Sequence, residues 1–347
     1  MACGYRHLGV GVMKCGTFAV GALLLLVASG CGGSSSATSS GTPAPGETTS
    51  GKTESFTFHY DGTINGLSPG KTARVWLPVA QSSHDQEVEV LPDGVQVPGD
   101  YAMHNEKRFG NKLIYFEAAA NDQGEIPVRV AYRVRRKELA AETGEMVKES
   151  ELEGFLQPSS LVPVGDDLLS RVVGSKRPEG ETKQVAGELY DAVYKWMDYG
   201  KPEDKAWGRG DATYACDARV GNCTDFHSLF ISMCRTLKMP AKFEIGFMLP
   251  PEGKEGTVGG YHCWAKFADS GRWVAVDISE ADKDASLKDY YFGSLTANRV
   301  TFTTGRDLKL VPAPAKESVN FLVYPYVEVD GQSHKGFTKE FRFERAK

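Results

Sequence analysis

Between residues 221 and 277 this chain places a cysteine, a histidine and an aspartate in three settings that belong together. Cys223 lies in Gly221-Asn222-Cys223-Thr224-Asp225-Phe226-His227, at the start of a helical pattern. His262 lies in Gly260-Tyr261-His262-Cys263-Trp264, inside a strand pattern, and Asp277 closes the next strand, Trp273-Val274-Ala275-Val276-Asp277. A nucleophile, a base and an orienting carboxylate can therefore converge on one helix N-terminus and one hairpin.

After Cys223, apolar residues fall at Phe226, Leu229, Phe230, Met233, Cys234 and Leu237. Steps of three and four make one face of an amphipathic helix. Asn222 is the expected N-cap and Pro240 the stop, which puts Cys223 in the first turn. Free amides and the helix dipole there favour a thiolate, and the Cys223 N–H is a candidate oxyanion donor.

Tyr261 to Phe267 and Arg272 to Ile278 read as two strands joined by a tight turn, Ala268-Asp269-Ser270-Gly271. A hairpin symmetric about Asp269 and Ser270 sets His262 opposite Asp277, Trp264 opposite Ala275 and Lys266 opposite Trp273. Opposed side chains lie about 5 Å apart at Cβ, so the carboxylate can accept from the imidazole. A slip of one residue would send the two to opposite faces.

These strings resemble the transglutaminase-like superfamily, over roughly residues 185 to 310. The resemblance rests on Gly-Asn-Cys223-Thr-Asp-Phe-His, Tyr-His262-Cys-Trp-Ala and Val-Asp277-Ile-Ser-Glu-Ala-Asp-Lys. It extends to Tyr290-Tyr-Phe-Gly-Ser-Leu and Asn298-Arg-Val-Thr-Phe. It implies an α+β fold of papain-like type, a cysteine-bearing helix packed on an antiparallel sheet. It also implies Cys223 as nucleophile, His262 as base and Asp277 as orienter. For the second oxyanion donor it leaves Trp207 and Tyr214 open. Cross-linking, amide hydrolysis and non-catalytic scaffolding all occur in that superfamily.

Competing readings sit beside these. His227, four residues after Cys223, shares nearly its helix face and competes as base, but it lacks an equally placed carboxylate and reads better as a polar neighbour of the site. Ser279 and Asp282 read as helix-cap residues. Cys216, Cys223, His227 and Cys263 contain no Cys-x2-Cys or His-x3-His spacing, so no metal site is expected. Cys234 and Cys263 read as core residues, Cys263 alternating away from His262 into the opposite layer. Cys216 is left open as a disulfide partner. No cofactor is expected.

The N-terminus carries the compartment signal. Thr17 to Ser29 is a short apolar run after Lys14, of signal-peptide length. Ala28-Ser29-Gly30-Cys31 resembles a bacterial lipobox, so Cys31 is the expected lipidation site, with plain signal cleavage as the alternative. Met13 is a plausible true start. No later segment has the length and apolarity of a membrane span. Residues 1–30 are thus read as signal peptide and 31–53 as a Ser/Thr/Gly/Pro tether, reaching about 25 Å as a random coil. Secretion across the inner membrane to the cell envelope follows, with the membrane reached through the lipid.

Residues 31–347 carry 38 Lys and Arg against 45 Asp and Glu, a net charge of −7. That excludes nucleic acid and an anionic lipid surface as expected partners. Four of the seven cysteines fall in the folded part, too few for a disulfide framework.

Residues 54–140 read as a β-rich, sandwich-like domain: Phe56, Phe58 and Tyr60 alternate, as do Val128, Val130, Tyr132 and Val134. Residues 141–184 read as a charged connector and 185–315 as the cysteine-bearing domain. Within the latter, Thr182 to Met197 is a helix and Asp198 to Val220 a long irregular loop bordering the site. Phe243 to Pro250 reads as a strand, and Pro250 to Gly260 as either a lid or a solvated turn. Residues 316–347 supply two strands able to join either sheet. The expected function is a cysteine enzyme acting on amide or peptide bonds of a peptide or protein substrate through a thioester, passed to water or an amine. The alternative is a non-catalytic peptide-binding or structural envelope lipoprotein. The sequence does not indicate an oligomeric state.

Overall fold

Alternation of large apolar residues sets up the first sheet. In β1 (Thr53–Ile64), Phe56, Phe58 and Tyr60 are all buried. β1 pairs antiparallel along its whole length with β6 (Ile126–Lys137), whose inward positions are Ile126, Val128, Val130, Tyr132, Val134 and, last, Arg136. β3 (Gln86–Gln96) flanks β6. A second sheet joins β2 (Thr72–Pro78), β4 (Tyr101–Asn105) and β5 (Lys112–Ala119). Apolar side chains of the two sheets share one core, so they form a sandwich. The structure is a computed structural model and describes residues 51–203 and 206–346. Cys31, the signal segment and nearly all of the tether lie outside the described residues.

Residues 54–140 do not complete this sandwich alone. β11 (Tyr326–Val329) pairs with β2, while β12 (Phe337–Lys339) and β13 (Arg342–Arg345) pair with β1. The C-terminal strands thus belong to the N-terminal sandwich, supplying partners to edges that would otherwise be bare. Residues 255–257 pair with β13, and Arg345 donates to the carbonyls of Pro250 and Gly253. The segment 250–260 is exposed over most of its length, with residues 255–257 tied to a sheet edge.

The third layer carries Cys223, His262 and Asp277. Helices α1 (Asp166–Val173), α2 (Thr182–Trp196) and α3 (Ala212–Ala218) surround α4 (Cys223–Thr236). α1 lies within the stretch read as a connector, and α3 within the stretch read as irregular. An antiparallel sheet of β7 (Ala241–Met248), β8 (His262–Asp269), β9 (Arg272–Val276) and β10 (Arg299–Thr304) packs on α4, with residues 292–293 at one edge. All fourteen residues of α4 are buried. The expected amphipathic helix is instead enclosed on every side, and its polar face is satisfied from within. Ser232 Oγ donates to the Pro163 carbonyl, and Arg235 donates to the carbonyls of Gln157 and Ala241.

The sandwich and the sheet that packs on α4 meet through apolar and ionic contacts. Phe58 and Tyr60 pack against Phe247 and Phe302. Asp85 Oδ2 takes Arg136 Nη2 at 2.7 Å and Lys266 Nζ at 3.4 Å, and Lys266 also reaches Glu244 at 3.0 Å. All four groups are buried. Burial opposes the charge on Asp85, but Arg136 and Lys266 outweigh it and hold the carboxyl well below its usual range. The described residues form one compact unit.

Candidate active site

The helix start is built as the sequence implied. Asn222 Oδ1 accepts from Thr224 N at 3.0 Å, and Asp225 Oδ2 accepts from Asn222 N at 3.1 Å, a reciprocal cap. Cys223 follows as the first helical residue. Asp225 reaches further: its carboxylate also accepts from Gly208 N at 2.7 Å and Gly210 N at 3.1 Å. Tyr261 Oη accepts from Asn222 Nδ2 and donates to the Gly208 carbonyl. The loop before α3 is thus stitched to the N-terminus of the cysteine helix. A side chain at Gly210, which has φ +63°, would meet Arg306 and Ser228 within 2.7 Å.

The hairpin register differs from the expected one. Asp269 pairs with Arg272, and the turn is Ser270-Gly271 with φ of 47° and 77°. Positive φ at both central residues is a two-residue type I′ turn, which twists with the strands as a four-residue turn does not. The pairs are therefore Lys266 with Ala275 and Ala265 with Val276. The register moves by two residues, and a shift of two preserves the face. His262 and Asp277 are diagonal rather than directly opposed, and β9 ends at Val276. His262 Nε2 still lies 2.7 Å from Asp277 Oδ2.

Asp277 serves two structures at once. Its Oδ1 caps α5 (Ile278–Lys283), accepting from Glu280 N at 3.1 Å and Ser279 Oγ at 3.0 Å. The cap is therefore Asp277 rather than Ser279 or Asp282; Asp282 instead accepts from Tyr199 N. Its Oδ2 receives His262 and also Arg299 Nη1 at 2.6 Å. Arg299 is wholly buried, with Trp264 and Tyr291 beside its guanidinium. Burial opposes the Asp277 charge, yet His262 and Arg299 hold the carboxyl well below its usual range.

With Nε2 turned to Asp277, the other nitrogen of His262 is left for the sulfur of Cys223, which lies beside the ring. Burial disfavours both charges. The Cys263 thiol and His262 nevertheless lower the Cys223 thiol to about 5, while Asp277 and Cys223 raise His262 to about 9. At neutral pH the pair is thiolate and imidazolium. Cys223 is 2% exposed and His262 5%. Tyr199, Tyr261 and Tyr324 lie near the sulfur: burial first, then the Cys223 charge, raises each phenol.

His227 sits under this assembly. Its Nε2 accepts from Ile278 N at 3.1 Å and Nδ1 lies 3.7 Å from Cys263 Sγ. Burial lowers it to about 4, so it stays neutral and holds the backbone next to Asp277. Cys263 alternates away from His262 as expected. The face it enters is the helix face: Phe267, two positions on from Ala265 on that same face, meets Phe230 of α4 edge to face. Cys263 is a core residue as read, and within the core it is a neighbour of Cys223. Cys216 and Cys234 are buried free thiols elsewhere, and among the described residues Cys216 has no disulfide partner.

Trp207 stands in the stitched loop next to Gly208, with Lys201 Nζ 5.5 Å from its ring. Tyr214 stands on α3, its N–H accepted by Asp211, the cap of that helix. Sequence reasoning missed Arg299, Asp225 and the thiol of Cys263. Arg299 was within reach of it, in the string Asn298-Arg-Val-Thr-Phe. The others were hidden because a neighbour in sequence gives no sign of which backbone it will meet.

Part of the chain is similar to known proteins. Residues 167–278 match the family model of the transglutaminase-like superfamily, a span that includes Cys223 and His262 and ends one residue after Asp277. An uncharacterized protein of Haemophilus influenzae is 26% identical over 372 residues, covering 93% of this chain and 97% of its own. A solved structure from Cytophaga hutchinsonii, provisionally named a cysteine protease, superposes with a TM-score of 0.52. It is 18% identical and covers 83% of this chain and 98% of its own. The periplasmic domain of TgpA from Pseudomonas aeruginosa, at 12% identity and a TM-score of 0.34, is similar over 69% of this chain and 91% of its own. The fold is thus α+β with a transglutaminase-like core, a fold shared with a protein named as a cysteine protease.

Proposed function

We propose that this protein is a cysteine enzyme that cleaves or transfers amide bonds, using Cys223 as nucleophile, His262 as acid and base, and Asp277 as orienter. One observation carries the reading: the Cys223 sulfur lies beside a histidine whose far nitrogen is 2.7 Å from a buried carboxylate. The thiolate attacks the amide carbon, forming the C–S bond and an oxyanion. The Cys223 N–H, at a helix start, donates to that oxyanion. Of Trp207 and Tyr214, Trp207 is favoured as second donor, because its neighbour Gly208 is bonded to Asp225 and Tyr261 at the same helix start. His262 gives its proton to the leaving nitrogen, the C–N bond breaks, and a thioester remains. Water or an amine then attacks, His262 takes the proton, and the thiolate leaves.

We further infer that the chain is exported to the cell envelope and held there by a lipid on Cys31, the reading its apolar leader and lipobox support. Its substrate is a peptide or protein carrying an accessible amide. The test is mass spectrometry of the intact protein after incubation with glutamine-bearing and unmodified peptides, with and without added primary amine. An acyl adduct on Cys223 that discharges to acid or to amide supports the reading and names the acceptor. No adduct with any peptide, under conditions where Cys223 alkylates readily, would overturn it in favour of a peptide-binding role.

A further inference from the structure

Two cysteines meet at the candidate site, and the reaction above uses one of them. Cys263 follows His262 directly in β8, and strand alternation turns its side chain toward α4. There its sulfur lies 3.7 Å from His227 Nδ1, one helical turn below Cys223, and beside the Cys223 thiol itself. Both thiols are free and buried, at 2% and 0% exposure. The remaining cysteines stand apart, Cys216 on α3 and Cys234 eleven residues further along α4.

We propose that Cys223 and Cys263 form a reversible intramolecular disulfide on oxidation, with Cys263 acting as the resolving thiol for the nucleophile. The inference deepens the functional reading above, since it concerns regulation and protection of the same sulfur. A peroxide is the oxidant. The Cys223 thiolate attacks one peroxide oxygen, the O–O bond breaks, and the departing hydroxide leaves as water after taking a proton. Cys223 is now a sulfenic acid. Cys263 then attacks the Cys223 sulfur; the S–S bond forms, the S–O bond breaks, and the hydroxide takes the Cys263 proton to leave as a second water. Two thiols have lost two electrons and one peroxide has gained them.

Position explains why this outcome prevails over further oxidation. A sulfenic acid with no thiol neighbour proceeds to sulfinic acid, which is not recovered by thiols. Here a second thiol stands on the strand face turned to the cysteine helix, 3.7 Å from a histidine one helical turn from Cys223. The site admits a molecule the size of a peroxide better than a bulky oxidant, because Cys223 is nearly enclosed. The disulfide occupies the nucleophile, so the enzyme is silent until a dithiol reductant attacks it.

The experiment is peptide mapping of the full-length protein without reduction, after graded peroxide. The expected result is a species lighter by two hydrogens, with the peptides of Cys223 and Cys263 joined, fully reversed by dithiothreitol. Cys216 and Cys234 remain alkylatable throughout. In Cys263→Ser and Cys263→Ala, peroxide instead gives a sulfenic acid trapped by dimedone, then an irreversible gain of two oxygens. Wild-type protein that gains two oxygens on Cys223 with no joined peptide, at the same rate as the variants, overturns the proposal. So does a disulfide linking Cys216 or Cys234 instead. The wild-type map decides the matter even if a variant fails to fold. The readout is mass rather than turnover: a joined peptide in a protein that acylates on no amide keeps this inference and removes the functional reading, and the converse result does the reverse.

Discussion

Arg299 Nη1 and His262 Nε2 share one oxygen of Asp277, at 2.6 and 2.7 Å. The carboxylate therefore faces two cations, one permanent and one that comes and goes with the proton of the imidazole. Both are buried, where an unpaired charge is costly. Arg299 fixes Asp277 as an anion; Asp277 then fixes the orientation and the charge of His262.

Removing the arginine separates these effects. Arg299→Met should cost about 3–5 kcal/mol of stability, because Asp277 loses a buried partner. It should also move the alkaline limit of amide turnover upward, since a cation near the imidazolium is gone. Chemical denaturation and the pH dependence of amide turnover check both. An unchanged or lower alkaline limit would show that Arg299 does not act on His262 through Asp277.

The pH profile of the native protein has a defined shape. Cys223 is lowered to about 5 and His262 is raised to about 9. Below about 5 the thiolate is protonated and lost; above about 9 the imidazolium loses the proton it must give to the leaving nitrogen. Amide turnover should be bell-shaped between those values, and alkylation should rise through the lower one. A single rise near the ordinary thiol pKa would disprove the ion pair.

Asp277→Asn should reduce turnover by about 10³- to 10⁴-fold, through loss of the charge that supports the imidazolium. An asparagine can still cap α5, so that helix end should survive. Arg299 would be left buried without its counter-charge, so the protein should also lose stability. Kinetics and thermal unfolding measured on one preparation distinguish the two losses. Equal stability with low turnover would mean Arg299 had found another partner.

His262→Ala should raise the pKa of Cys223, while His227→Ala should change it far less and act mainly on stability. His227 is neutral and bonded to Ile278 N, so its loss removes a backbone anchor rather than a charge. Labelling profiles of the two variants give the comparison. A larger shift from His227→Ala would reverse the assignment of the base.

Asp85→Ala tests the joint between sandwich and catalytic sheet. It leaves Arg136 and Lys266 facing each other without the anion between them, at an expected cost of about 3–5 kcal/mol. The Asp85 carboxyl is held low, so the stability it contributes is present above its ordinary pKa and disappears as pH falls through the folded value. In acid the variant and the native protein should therefore converge. A constant stability gap down to strongly acidic pH would show that the charge plays no part.

The sequence by itself determined the local pieces, because each depends on a few adjacent residues. Asn222 is enough to start a helix at Cys223, and alternating residues are enough to make β8 and β9. Parity then placed His262 and Asp277 on one face even though the turn was read two residues too long: an error of two leaves every side chain where it was. Tertiary structure decided what meets across the layers. Nothing near Cys223 in the chain announces that Cys263 will face it, since strand alternation specifies opposite faces but not which layer covers each. The same holds for Arg299, twenty-two residues beyond Asp277, and for the C-terminal strands, whose alternation fits either sheet. Such choices are made by which buried charges and edges must be satisfied once the layers close, and that requirement exists only in the folded molecule.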